Sequence, residues 1–148
     1  MNLPMPQINE PVPDLDIAEW VQGKPSNISQ EKGKNIAIIV FQVNCPGCFI
    51  TGFPEFLDSY RKYGNEPILF WGLATAFEDF QWNTLDNLKK LIEQGEVFGD
   101  TLYSLNNQGM LEDNYLSYKL PFPIAWDKIS PADPLIAEKS AKQMIDRD

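Results

Sequence analysis

Cys45 and Cys48 frame the run Cys45-Pro46-Gly47-Cys48 and are the only two cysteines in the chain. A pair at this spacing can ligate a metal, staple the backbone, pack as inert thiols, or cycle between dithiol and disulfide. Zinc takes four ligands, as a rule thiolates or imidazoles. The chain offers two thiols and no histidine, so a metal is left only a site shared between copies. A purely structural staple of this span closes too short a loop to constrain the unfolded chain much. Two unrelated buried thiols are the blandest alternative, but that leaves unexplained why both fall together where a strand runs into a helix. A reversible redox pair accounts for both spacing and position.

The chemistry of such a pair follows from where the helix starts. A cysteine in the first turn sits among unpaired backbone N–H groups at the positive end of the helix dipole, which draws its pKa below the free value of about 8.5. Cys45 would then attack a substrate disulfide, and Cys48, one turn later, would resolve the mixed disulfide. The intervening Pro46-Gly47 sets the balance between dithiol and disulfide, over roughly −270 to −120 mV in proteins built on this plan.

The elements that must hold this pair are legible in the surrounding pattern. Pro4, Pro6, Pro11 and Pro13 deny residues 1–13 a helix and leave them extended. Residues 14–30, with Gly23-Lys24-Pro25, suit a short hairpin or turn. Ile36 to Phe41 is an unbroken apolar run that predicts a central strand covered on both faces. Phe53, Phe56, Leu57 and Tyr60 recur at helical spacing and Gly64-Asn65 supplies a stop, so residues 48–63 read as a helix, bent or restarted at Pro54. Ile68 to Thr75 reads as a second buried strand. Leu85, Leu88, Leu91 and Ile92 form the apolar stripe of a helix capped by Asn83 or Thr84 and closed by Gly95. Strand, helix, strand, helix in this order indicates a parallel pair. Val97, Leu102 and Leu105 mark a further short helix ending near Gly109, Pro121 to Asp127 a third strand, and Leu135 to Met144 a last helix opened by Pro131 and Pro134. The 148 residues, 43% hydrophobic and 12% aromatic, make one domain spanning 1–148, with residues 1–30 as an N-terminal extension.

Around the cysteines the sequence resembles the thioredoxin-like superfamily, in particular the redoxin branch of peroxiredoxins and cytochrome-maturation disulfide reductases. Over roughly residues 8–127, Pro11-Val12-Pro13-Asp14-Leu15 is similar to the branch's opening "APDF" segment, Gly33-Lys34 to the "GK" before the first core strand, and Val40 to Cys48 to strand plus CxxC. The resemblance implies an α/β thioredoxin-like fold, a parallel βαβ core with flanking helices, with Cys45 as nucleophile and Cys48 as resolver. It also shows departures. Asn44 stands where thioredoxins carry the tryptophan of WCGPC, and the central dipeptide is reversed to Pro46-Gly47. The helix proline comes six rather than five residues after the second cysteine, at Pro54, which shifts the helix register. No acid lies in Ile36 to Phe41, leaving Glu78 or Asp79 as the nearest proton carriers. A cis-proline faces the CxxC in this fold, and Pro121 or Pro123 could fill that role. Alternatively, Phe122 to Asp127 resembles the strand that precedes the cis-proline strand of peroxiredoxins. On that reading the chain stops before the last strands and helix, and is truncated or completed by a partner chain.

Charge narrows the partners. A formal net charge of −9, with Lys and Arg scattered, disfavours nucleic acid and anionic lipid, which are bound by clustered cations. No run is long enough to span a bilayer, and the N-terminus lacks a signal-peptide pattern. The sequence as it stands reads as soluble and cytoplasmic, and an export signal or anchor removed upstream would change the compartment. The expected function is thiol–disulfide exchange with a protein disulfide, served by a separate electron-donor reductase and needing neither cofactor nor metal. Two alternatives stand beside it. One is a peroxiredoxin-like peroxidase, although Gln42 occupies the place of that family's threonine three residues before the nucleophile. The other is a non-catalytic binding module using acidic surface and the aromatics Phe77, Phe80 and Trp82.

Overall fold

The computed structural model describes residues 8–129. The segments expected at Pro4 and Pro6 and the last helix over 135–144 lie outside the described residues.

Six strands and three α-helices make up this part of the chain: β1 (Ile17–Gln22), β2 (Asn35–Phe41), α1 (Phe53–Tyr63), β3 (Ile68–Ala74), α2 (Leu85–Gln94), α3 (Gly99–Asn107), β4 (Leu111–Glu112), β5 (Tyr115–Leu116) and β6 (Ile124–Asp127). The main sheet has the order β1-β6-β3-β2. β2 and β3 run parallel, Ile38 opposite Trp71, and β3 and β6 run parallel, Leu73 opposite Ala125. β1 closes the other side antiparallel to β6, Trp20 opposite Ala125.

Two expectations are corrected by this order. Of the hairpin or turn expected over residues 14–30, there is no hairpin, because β1 finds its partner in β6, about a hundred residues on, and the chain turns at Gly23 at φ +87°. Gln22 fastens that pairing by donating from Nε2 to the carbonyls of Leu120 and Phe122, each at 2.7 Å. Nor is β2 a central strand among the described residues. It has a neighbour on one side only, and Val40 is 58% exposed. An apolar run reports that side chains can be buried, and says nothing about which backbone edges are paired.

The core lies mainly on one face of the sheet. Alternation along β3 sends Phe70 and Ala74 into it and Trp71 to the opposite face, where it meets Trp20 edge-on at 5.3 Å. Phe56 and Tyr60 of α1 contact Phe70 and Phe122, and Phe53 contacts Phe122, Phe41 and Phe49, as edge-to-face and stacked pairs 4.8–6.4 Å apart. Leu88 and Leu91 of α2 and Leu105 of α3 join the same cluster.

Local chemistry explains the ends of α2. Thr84 Oγ1 accepts from Asn87 N–H at 3.1 Å, so Thr84 rather than Asn83 is the cap. Gly95 ends the helix at φ +76°, returning its N–H to Leu91 at 2.9 Å. The β4–β5 hairpin turns on Asp113-Asn114, both at positive φ, a two-residue connection suited to those side chains. No helix among the described residues is long and apolar enough to cross a membrane.

Candidate active site

β2 ends at Phe41 and the chain crosses the top of the sheet through Gln42, Val43 and Asn44, all buried. The helix begins immediately afterwards at Pro46. Proline is favoured at a first helical position, where its missing N–H would have had no partner and its fixed φ is already helical. Cys45 therefore sits at the cap, and Cys48 one turn in, its N–H reaching the Cys45 carbonyl at 3.0 Å. The two sulfurs are joined as a disulfide across a Cα–Cα distance of 5.4 Å. Both cysteines are half-buried and Gly47 between them is exposed, so the pair can be reached from solution.

Below the cysteines lies a closed polar web. The Gln42 Oε1 accepts from the N–H groups of Phe77 and Glu78 and from Asn83 Nδ2, at 3.0, 3.4 and 3.1 Å. Asn83 Oδ1 accepts from the Asn44 N–H at 2.7 Å, and Asn83 Nδ2 also donates to the Glu78 carbonyl at 2.8 Å. Asn44 turns its side chain the other way, toward α3, where its Oδ1 accepts from both the N–H and the hydroxyl of Thr101 at 3.1 Å. No buried side-chain polar atom among the described residues lacks a partner. A web satisfied in this way fixes a loop in one conformation, and this one fixes the approach to Cys45.

Glu78 and Asp79 belong to the β3–α2 loop and reach the same web from outside. Glu78 accepts from Gln42 Nε2 at 3.4 Å, and Asp79 accepts from Asn44 Nδ2 at 3.2 Å. Both carboxylates are thus engaged by amides next to the cysteines, not by the sulfurs. Pro121 and Pro123 are not brought to the pair. β3 separates β6 from β2, and Pro121 lines a groove with Leu91, Gly95 and Tyr118. There is no cis peptide bond among the described residues. Of the two placements of this strand, the structure has the one in which it follows β3 as a parallel neighbour.

Two features of the site go beyond the sequence, which offers Trp82 only as partner surface. Trp82, 38% exposed, stacks on Phe98 at 6.3 Å beside Asn44. Gly99, at φ +56°, lets them approach, since a Cβ there would lie 3.0 Å from both Trp82 Cδ1 and Asn44 Nδ2. An aromatic side chain thus borders the position where thioredoxins carry theirs, supplied from a loop 38 residues further along. The second is a π-helical turn over Cys48–Gly52, joined without a break to α1. The Phe53 N–H bonds back five residues to the Cys48 carbonyl. Pro54, one residue later than its usual place, was the signal available for it.

No protein-family model and no curated protein matches the chain. Among solved structures it is similar to a thiol-disulfide isomerase from Corynebacterium glutamicum, at 25% identity and a TM-score of 0.57 over 85% of this chain and 67% of that one. It is also similar to a thioredoxin-like superfamily protein, at 23% identity and a TM-score of 0.56 over 89% of this chain and 71% of that one, a likeness that speaks to the fold alone. The fold is thioredoxin-like. With a disulfide-forming CxxC at the strand-to-helix junction, the chain belongs in class with the thiol–disulfide oxidoreductases.

Proposed function

We propose that the chain exchanges its Cys45–Cys48 pair with disulfides of protein substrates. The observation that carries this is the placement of Cys45 at a helix cap, half-exposed, with Cys48 one turn inward and already bonded to it. In the reducing direction the Cys45 thiolate attacks one sulfur of the substrate disulfide, forming a mixed disulfide and expelling the other sulfur as a thiolate. Cys48 then attacks the Cys45 sulfur and releases the second substrate thiolate. The substrate gains two electrons and two protons, and the pair returns to the disulfide. A separate dithiol reductase must restore it, and the same steps reversed make the protein an oxidant. Phe77 and Trp82, exposed beside the web, offer apolar surface to a polypeptide substrate.

Peroxide chemistry has less support. The Gln42 amide, at the place of the peroxidase threonine, is consumed by the 77–83 loop. Peroxiredoxins also set an arginine near the nucleophile, whereas Arg61, the arginine among the described residues, pairs with Asp58 on the exposed face of α1. The test is insulin reduction with dithiothreitol as donor. Cys45→Ser is expected to abolish turnover, and Cys48→Ser to accumulate a mixed disulfide that migrates as a covalent adduct. Undiminished turnover in Cys45→Ser would refute the assignment.

A further inference from the structure

The Phe49 carbonyl occupies an unusual position in the redox helix. In an α-helix it would accept from the Phe53 N–H, but that donor is taken by Cys48 in the π turn. The donor five residues ahead would be residue 54, a proline, which has no N–H. Phe49 is completely buried as a residue, so water is poorly placed to compensate, and a buried carbonyl without a partner costs about 1–3 kcal/mol. The missing donor comes from 69 residues away, where the Tyr118 hydroxyl donates to the Phe49 carbonyl at 2.6 Å. Tyr118 is half-buried, packed against the core in the connection between β5 and β6.

We infer that Tyr118 is a positioning residue for the redox pair, a latch that holds the π turn and with it Cys48 in register with Cys45. The inference rests on the pair cycling between disulfide and dithiol. In the disulfide the covalent bond itself pins Cys48, so the latch is partly redundant. In the dithiol that bond is gone, and Cys48, the first residue of the π turn, is held only by the helix and by what braces it. Loss of the hydroxyl therefore weakens the dithiol more than the disulfide. Burial pushes the Tyr118 hydroxyl's pKa well above its ordinary value, which keeps it a donor across the working range of pH.

The experiment is a redox titration of the full chain in a dithiothreitol series, quenched by alkylation and read by mass. Each dithiothreitol gives two electrons and two protons to the Cys45–Cys48 disulfide and becomes its own cyclic disulfide. Tyr118→Phe keeps the ring and removes the donor. Its equilibrium constant for reduction is expected to fall three- to tenfold, a midpoint about 15–30 mV more negative. In a Pro54→Ala background the amide at position 54 can serve the Phe49 carbonyl, and there Tyr118→Phe is expected to leave the midpoint where it was. A midpoint unmoved by Tyr118→Phe, even with a lower denaturation midpoint, would reduce Tyr118 to packing and overturn the inference alone. A shift that persists undiminished beside Pro54→Ala would also overturn it. Should Tyr118→Phe not fold, Pro54→Ala is expected to restore folding, and failure to do so counts against the latch. A wild-type chain without a single two-electron midpoint would remove the oxidoreductase reading, and the inference with it.

Discussion

Asn44, next to Cys45, does a job normally done by a residue of the helix it serves. The residue at the cap of α3 is Phe98, which has no side-chain acceptor, yet the third N–H of that helix, from Thr101, needs one. Asn44 Oδ1 provides it from another element and takes the Thr101 hydroxyl as well, both at 3.1 Å. Thr101 is fully buried and Asn44 nearly so. Asn44→Ala therefore removes a helix cap, worth roughly 0.5–2 kcal/mol, and strands a buried hydroxyl, worth about 1 kcal/mol more. The lost bond to Asp79 adds little, because Asp79 is partly solvated. A destabilisation of about 1.5–3 kcal/mol is expected for the disulfide form. Urea unfolding followed by circular dichroism measures it, as a lower midpoint at unchanged slope. Asn44→Asp keeps the acceptor toward Thr101 while setting a second carboxylate against Asp79, and should recover part of the loss. A loss below about 0.5 kcal/mol for Asn44→Ala, or an Asn44→Asp variant no better than it, would refute the cap.

Two other perturbations probe the scaffold. Phe122→Ala removes a fully buried ring that touches Phe53, Phe56 and Tyr60; about 3–5 kcal/mol should be lost in denaturant unfolding, and a loss under about 1 kcal/mol would mean the site collapses freely. Gly99→Ala places a methyl 3.0 Å from both Trp82 and Asn44 at a positive φ, so it should cost about 1–2 kcal/mol and blue- or red-shift the Trp82 fluorescence, while an unchanged spectrum would show that the ring is not held there.

The redox pair was legible because its signal is local: two thiols, no histidine, a strand before them and helical spacing after. α2 was legible for the same reason, with Thr84 and Gly95 bracketing its stripe. What could not be read depends on which distant segments meet. β2 looked central because its apolar run is continuous, and only the sheet order shows which of its edges is paired. Pro121 and Pro123 looked suited to face the cysteines because both precede a strand, but the parallel pairing of β6 with β3 takes them elsewhere. Asn44 and Thr101, or Phe49 and Tyr118, are more than fifty residues apart, and no periodicity links them. Glu78 and Asp79 fall in the loop after β3, and the structure ties them to amides beside the cysteines rather than to the sulfurs.

The π turn has a consequence for the geometry of the whole helix. An α-helix advances about 100° per residue, so one additional residue between the second cysteine and Pro54 would swing everything downstream through that angle and carry Phe56 and Tyr60 off Phe70 and Phe122. Widening a single turn absorbs the rotation locally. The angular phase of the core-facing stripe is thereby uncoupled from that of the cysteines, and the end of the helix that performs exchange can be reset by one residue while the end that anchors it to the sheet stays in place.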